Sequence, residues 1–202
     1  TSKIPTLFEK ISNKYFSSFG NRENLIFVLK ICQILKLEKE KIIKIINKFK
    51  GLKYRQQIVF NDNNLTVIND SKSTSLASSE NLLKNLKSVY WILCGIPKKG
   101  DKFNLTKFQC KNLKGYIFGE HYKKFRKYFK NKLKIKKSKN LEDTLNQIFL
   151  DIKLNKVKKN IILFSPAGAS FDNFKNFEDR GRYFNSLIKT KNFIKRIYAW
   201  FK

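Results

Sequence analysis

The octet Ile68-Asn69-Asp70-Ser71-Lys72-Ser73-Thr74-Ser75 places one acid, one base and four hydroxyls directly after the alternating run NNLTVI. Such a density of hydrogen-bonding groups suits either a solvated turn or a site that grips a charged ligand. Two more clusters share this character. CGIPKKGD (94–101) sets Lys98 and Lys99 just past an apolar run, where a lysine either solvates a loop or meets a phosphate or carboxylate as a point charge. SPAGASFDNFKNFEDRGRYF (165–184) opens with Pro166, Ala167, Gly168 and Ala169, small residues that let a backbone turn tightly and approach a ligand. Ser170 is expected near a helix start, where free N–H groups favour an anion. Asp172 reads equally well as the N-cap of that helix. In GLKYRQQ (51–57), Arg55 is positioned to pair with Asp70 or to hold a nucleotide. His121 is the only histidine, so no histidine-pair metal site can form, nor a Ser-His-Asp triad from several candidates.

The elements that must position these clusters are legible from hydrophobic period. NLIFVLKICQIL (24–35) is apolar enough for a buried helix, and KEKIIKIINKFK (39–50) carries a helical stripe at 42, 43, 45, 46 and 49 that Gly51 is expected to stop. The period then changes. QQIVF and LTVIN flank NDNN as a hairpin or an adjacent pair of strands. A helix is expected over about 75–86 with Ala77, Leu82, Leu83 and Leu86 inward. SVYWILCG (88–95), KGYIFG (114–119) and KNIILFSPAGAS (159–170) read as buried parallel strands, and 141–154 and FEDRGRYFNSLI as helices. Strands alternating with helices specify an α/β fold with an open, Rossmann-like sheet. All three polar clusters fall at strand-to-helix junctions, where such sheets bind ligands.

Composition narrows the function classes. At 202 residues and 42% apolar content the chain can bury a sizeable core. No run approaches the roughly 18 apolar residues of a membrane span. The N-terminal TSKIPTLFEK has no apolar signal region, and Cys32, Cys94 and Cys110 lack a paired spacing, so a cytoplasmic protein with reduced thiols is expected. The net charge of +29 invites a nucleic-acid reading. The lysines are spread along the chain without a stacking aromatic platform, and no nucleic-acid partner is expected.

GLKYR, INDSKST, CGIPKKGD and SPAGASFDNFKNFEDRGRYF, in this order and spacing, resemble the C-terminal half of the Mur ligases of bacterial peptidoglycan synthesis. The last motif is the most specific, since it is similar to the loop SPA-x-AS-x-D-x-F-K-N-F-E-x-R-G of the branch that adds D-glutamate. The resemblance spans about residues 20 to 188. It implies that residues 1–52 are the helical end of the central ATP-binding domain and 53–190 the Rossmann-like C-terminal domain for the incoming amino acid. A basic aromatic tail, 191–202, lies outside it.

The resemblance also implies roles. Asn24, Arg55, Asp70 and Lys72 match positions that bind ATP, and Thr74, Lys98, Ser170 and Phe177 match positions that bind D-glutamate. The family's partners are ATP, Mg2+, D-glutamate and UDP-N-acetylmuramoyl-L-alanine, and a monomer is expected. Gly20 precedes Asn21 where the family often has His. No GxxxxGK[ST] phosphate loop occurs in these residues. The magnesium ligands and the UDP-sugar domain are therefore expected outside this chain, which is expected to be a fragment or a truncated homologue, inactive alone. The competing reading is a non-catalytic amino-acid-binding module. Two fates are open to the tail: Phe193, Ile194, Ile197, Tyr198 and Phe201 either pack as a terminal helix on the domain or touch an anionic membrane surface.

Overall fold

In the computed structural model, which describes residues 9–17, 19–155, 157–190, 193 and 195, the chain divides into two units, Thr1–Gly51 and Leu52–Lys202. The first is helical. A 3-10 turn, Lys14–Ser17, precedes α1 (Phe19–Ile34) and α2 (Lys39–Lys48). Leu25 and Leu29 of α1 close on Ile42 and Ile46 of α2, each pair one helical turn apart and so on one face. Asn13 donates through Nδ2 to the carbonyls of Ile46 and Phe49, at 2.8 and 2.7 Å, and so satisfies part of the α2 C-terminus.

Two expectations for this unit are corrected. The run 24–35 is not a buried helix: Phe27, Ile31 and Ile34 are 69, 56 and 77% exposed. The helix is apolar on several sides, and its described packing covers only the stripe that carries Leu25 and Leu29. Gly51 does not end α2 either, because the helix stops at Lys48 with an extended Phe49 as its C-cap.

The second unit is built on a six-stranded sheet. β1 (Gln57–Asn61) and β2 (Leu65–Asn69) form the expected antiparallel hairpin, with Gln57 opposite Asn69. β3 (Val89–Leu93), β5 (Leu113–Phe118), β6 (Lys134–Ser138) and β7 (Asn160–Phe164) join it in the order β1-β2-β7-β3-β5-β6, every pairing after the hairpin being parallel. The continuous apolar runs become the central strands because both of their faces are covered. Leu76 and Leu83 of α3 (Leu76–Leu83) and Phe125 and Phe129 of α4 (Tyr122–Phe129) pack on one face, with Trp91, Leu93 and Ile117. On the other, α5 (Leu141–Leu154) and α6 (Phe177–Ile188) bury Ile148, Phe149 and Phe184 against Ile92, Tyr116 and Phe164. The result is a three-layer α/β/α sandwich, a Rossmann-like arrangement.

α3 departs from its expected inward face. Leu76, Ser79, Glu80 and Leu83 are buried, Leu82 and Leu86 are only partly covered, and Ala77 is exposed. The Ser75 hydroxyl accepts from the Ser78 amide as an N-cap and so sets the rotation of the helix.

The chain steps outward from β3 to β5 to β6, then returns through α5 to place β7 on the other side of β3. The switch point therefore lies between the carboxyl ends of β3 and β7. The loops leaving those two strands pair there as a short antiparallel ribbon, β4 (Ile96–Pro97) with β8 (Gly168–Ala169).

Candidate ligand site at the carboxyl ends of the central strands

The ribbon exists because its residues are small. The Cys94 amide donates to the Pro166 carbonyl at 3.2 Å, bringing the two strand exits together. Gly95 has φ +90°, and a Cβ there would lie 2.3 Å from the Ala169 carbonyl oxygen. Buried Ala167 is left-handed at φ 55°, a strained conformation of the kind that clusters at ligand sites. Lys98 follows β4 and Ser170 follows β8, at opposite ends of this two-residue ribbon. Lys98 is exposed, and its carbonyl accepts from the Asp101 amide at 3.2 Å and the Tyr128 hydroxyl at 3.4 Å. Ser170 is buried and opens a turn, its carbonyl accepting from the Phe174 amide at 3.0 Å. It does not stand at a helix start. Asp172 is not an N-cap either: that role belongs to Asn176, whose Oδ1 accepts from the Asp179 amide at 2.7 Å.

The neighbouring segment, 69–75, is held from below. Asn69 donates through Nδ2 to the Gly181 carbonyl at 2.9 Å and to Asn185 Oδ1 at 2.7 Å. The Asp70 amide donates to the Phe164 carbonyl at 2.7 Å, and its carboxylate accepts from the Ser165 hydroxyl at 2.9 Å and the Gln56 amide at 3.1 Å. Burial pushes the Asp70 carboxyl up to about 6, against the opposing pull of those two donors and of the Arg55 charge. No described salt bridge joins Arg55 to Asp70, so the pair interacts through space and not by contact.

The Lys72 ammonium sits 3.9 Å from the centre of the Phe177 ring, a cation–π contact, and its amide donates to the Tyr54 carbonyl at 3.0 Å. Ser73, Ser79 and Ser165 form a chain of buried hydroxyls at 2.8 Å spacings. Exposed Thr74 precedes α3, whose Leu76 amide donates to Asp101 at 2.6 Å, tying that helix start to the Lys98 loop.

Arg180 is the residue that sequence reasoning leaves out. It is fully buried, and it donates from Nε to Ser71 Oγ at 3.1 Å, from Nη2 to the Ser71 carbonyl at 2.8 Å and from Nη1 to the Gly168 carbonyl at 2.9 Å. It thus links the segment after β2 to the ribbon strand after β7. Burial lowers its proton affinity. In a chain with 44 Lys and Arg, one more arginine gives no burial signal. The usable signal is the adjacent glycine, since a Cβ at Gly181 would lie 2.4 Å from the Tyr54 ring and the helix must pass that close.

The structure therefore brings Asp70, Lys72 and Phe177 together, with Arg55 within electrostatic reach, and sets Thr74, Lys98 and Ser170 beyond the ends of the adjacent strands β2, β3 and β7. No described hydrogen bond joins the side chains of the last three. Asn24 lies exposed on α1 in the first unit. Among the described residues no cluster of three His, Cys, Asp or Glu side chains could hold a metal ion, and no described helix is long and apolar enough to cross a membrane. Cys94 and Cys110 are buried free thiols pushed up to about 12 and about 11 by desolvation, hence unreactive. Of the tail, Phe193 is buried against Phe149, with ring centres 5.0 Å apart. Ile194, Ile197, Tyr198 and Phe201 lie outside the described residues.

No family model matches the chain. The UDP-N-acetylmuramoylalanine–D-glutamate ligase of Wolbachia pipientis is 34% identical over 179 residues, covering 89% of this chain and 35% of the relative. The ligase of the same name from Rickettsia prowazekii is 33% identical, covering 88% and 40%. That of Petrotoga mobilis is 36% identical, covering 89% and 41%. A solved murein peptide ligase from Psychrobacter arcticus aligns with a TM-score of 0.40 at 11% identity, covering 86% of this chain and 38% of that one, a likeness too small to carry weight. The chain spans 35 to 41% of the length of these three curated relatives. Over the part it spans, the chain belongs to the Mur ligase family, with the UDP-N-acetylmuramoylalanine–D-glutamate ligases.

Proposed function

We propose that this chain supplies the amino-acid-binding part of an ATP-dependent ligase that joins D-glutamate to UDP-N-acetylmuramoyl-L-alanine in peptidoglycan synthesis. The observation that carries the reading is the set of loops after β2, β3 and β7 at the switch point of the sheet, with the exposed Lys98 at one end of the ribbon and Ser170 at the other. Two carboxylates and one amine are the recognition problem that D-glutamate poses. Lys98 supplies a cation for one carboxylate, and Thr74 and Ser170 supply hydroxyls. Phe177 forms a wall that the Lys72 ammonium already touches.

Arg55 and Lys72 suit the ribose and phosphates of ATP, and Asp70 is assigned to the same nucleotide. Both Asp70 oxygens are engaged by protein donors, and the described residues offer no cluster for Mg2+. The metal belongs with the nucleotide phosphates and with residues outside this chain. ATP supplies the phosphoryl group that activates the carboxylate of the acceptor. What this chain's residues do is hold the D-glutamate amine at attack distance and exclude water around it. Without a phosphate loop the chain alone is inactive.

The test is Lys98→Ala in a ligase that contains this chain. The KM for D-glutamate should rise by about tenfold or more while the KM for ATP stays within about threefold, since a lysine–carboxylate contact made in the ground state is lost. An unchanged KM for D-glutamate removes the assignment.

A further inference from the structure

A cavity of 880 Å³ opens at the carboxyl ends of β5 and β6, and none of Thr74, Lys98, Ser170 and Phe177 lines it. Its floor is the junction Ser138-Lys139-Asn140 between β6 and the 14-residue helix α5. Ser138 is 4% exposed, and its hydroxyl has no hydrogen-bond partner. Buried hydroxyls are nearly always satisfied, so this unpaired one, in a residue that lines the cavity, marks a place where a ligand atom or an ordered water completes the bond.

The helix beside it adds donors. Asn140 Oδ1 caps the Asp143 amide at 2.8 Å, and Asp143 Oδ2 is engaged by the Lys139 amide at 2.8 Å and by Gln147 at 3.0 Å. The amides of Leu141 and Glu142 make no described hydrogen bond and carry the positive end of the helix dipole. The Lys139 ammonium is exposed and joins no described salt bridge. Elsewhere in the lining, Phe174 and Tyr183 present two rings with centres 5.9 Å apart, and Glu120 adds an acceptor.

An anion-binding floor, an aromatic wall and an acceptor match a ring-bearing phosphate with hydroxyls between ring and anion. We propose that this cavity is a binding site for a nucleoside monophosphate, its phosphate on Ser138, Lys139 and the N-terminus of α5, and its base against Phe174 and Tyr183. The site is separate from the nucleotide position assigned to Arg55, Asp70 and Lys72, and it does not require the ligase reading.

The experiment is an amide-resolved NMR titration of the 202-residue chain with AMP, adenosine and inorganic phosphate. AMP should move the amides of 138–142 and Phe174 saturably, and adenosine and phosphate should each bind about tenfold more weakly or worse. Ser138→Ala and Lys139→Gln should each weaken AMP about fivefold or more at these amides, while Lys72→Ala leaves them responding as before. Ser138→Ala should also melt no lower than the parent, because it removes an unpaired buried hydroxyl, so a folding defect does not mimic lost binding. Shifts confined to residues 55 and 70–72 would overturn the proposal. So would the absence of saturable shifts, indifference to both floor variants, or inorganic phosphate binding as tightly as AMP.

Discussion

Asp70 and Arg180 are two buried ionisable groups whose environments make opposite demands. The Asp70 carboxyl titrates near 6 when folded and at 3.8 as the reference, so the folded state holds the proton more tightly. Its contribution to stability is present below pH 3.8 and is lost as the pH rises through about 6. At about 1.4 kcal/mol per unit, the loss between pH 3.5 and 7.5 is on the order of 2–3 kcal/mol. Asp70→Asn should remove that part of the pH dependence, measured by urea unfolding at the two pH values, and an unchanged slope would contradict the burial account. For Arg180 the expectation is a loss at every pH. Arg180→Met leaves Ser71 and Gly168 carbonyls without their donor, at a cost of at least about 3 kcal/mol, whereas Arg180→Lys keeps part of the bonding and costs less. A loss below about 1 kcal/mol for the methionine variant would show that the carbonyls find other partners. Asp70 announces itself in the sequence by the cluster around it. Arg180 does not, because its burial depends on helix α6 passing against Tyr54, a contact made across 126 residues that only Gly181 hints at.

At the scale of elements, the ribbon β4–β8 is the device that sets Lys98 and Ser170 at the switch point, and it depends on close backbone approach. Gly95→Ala forces a Cβ onto the Ala169 carbonyl and an unfavourable φ. It should cost more than about 2 kcal/mol. Gly100→Ala, at φ +76° with open space around it, should cost only about 1 kcal/mol. Thermal or urea unfolding of the two variants checks the difference, and equal costs would mean that the approach at Gly95 relaxes freely.

The neighbouring elements were unevenly legible. Val89–Leu93 and Asn160–Phe164 stand out because central parallel strands are apolar on both faces. Leu141–Leu154 and Phe177–Ile188 stand out by their helical stripes. Lys134–Ser138 gives no such signal, since as the edge strand it exposes lysines that also discourage pairing with another sheet. Tyr122–Phe129 is likewise hidden, because only Phe125 and Phe129 mark its buried face. α1 misleads in the other direction, its apolar run being covered on one stripe only.

At the scale of the whole molecule, Leu52–Lys202 contains both faces of the sheet and both apolar layers, each built from its own residues. A chain of residues 52–202 should therefore unfold cooperatively by itself, with a Tm within about 5 °C of that of the full chain when the same domain transition is followed. Loss of a cooperative transition would show that the sheet depends on the helical unit. The proposed division of labour makes the same demand, because the D-glutamate contacts assigned to Thr74, Lys98 and Ser170 all lie in this unit, whereas Asn24 lies in the other.

The central claim is that three loops from adjacent strands serve one amino diacid, and a titration of the isotope-labelled chain with D-glutamate tests it most directly. The account predicts that the amides of Thr74, Lys98 and Ser170 move together along one saturation curve, that L-glutamate moves them less, and that Lys98→Ala shifts the curve to higher concentration. If D-glutamate at tens of millimolar, on the order of the weakest specific affinities, moves none of the three or moves them on independent curves, the shared site does not exist.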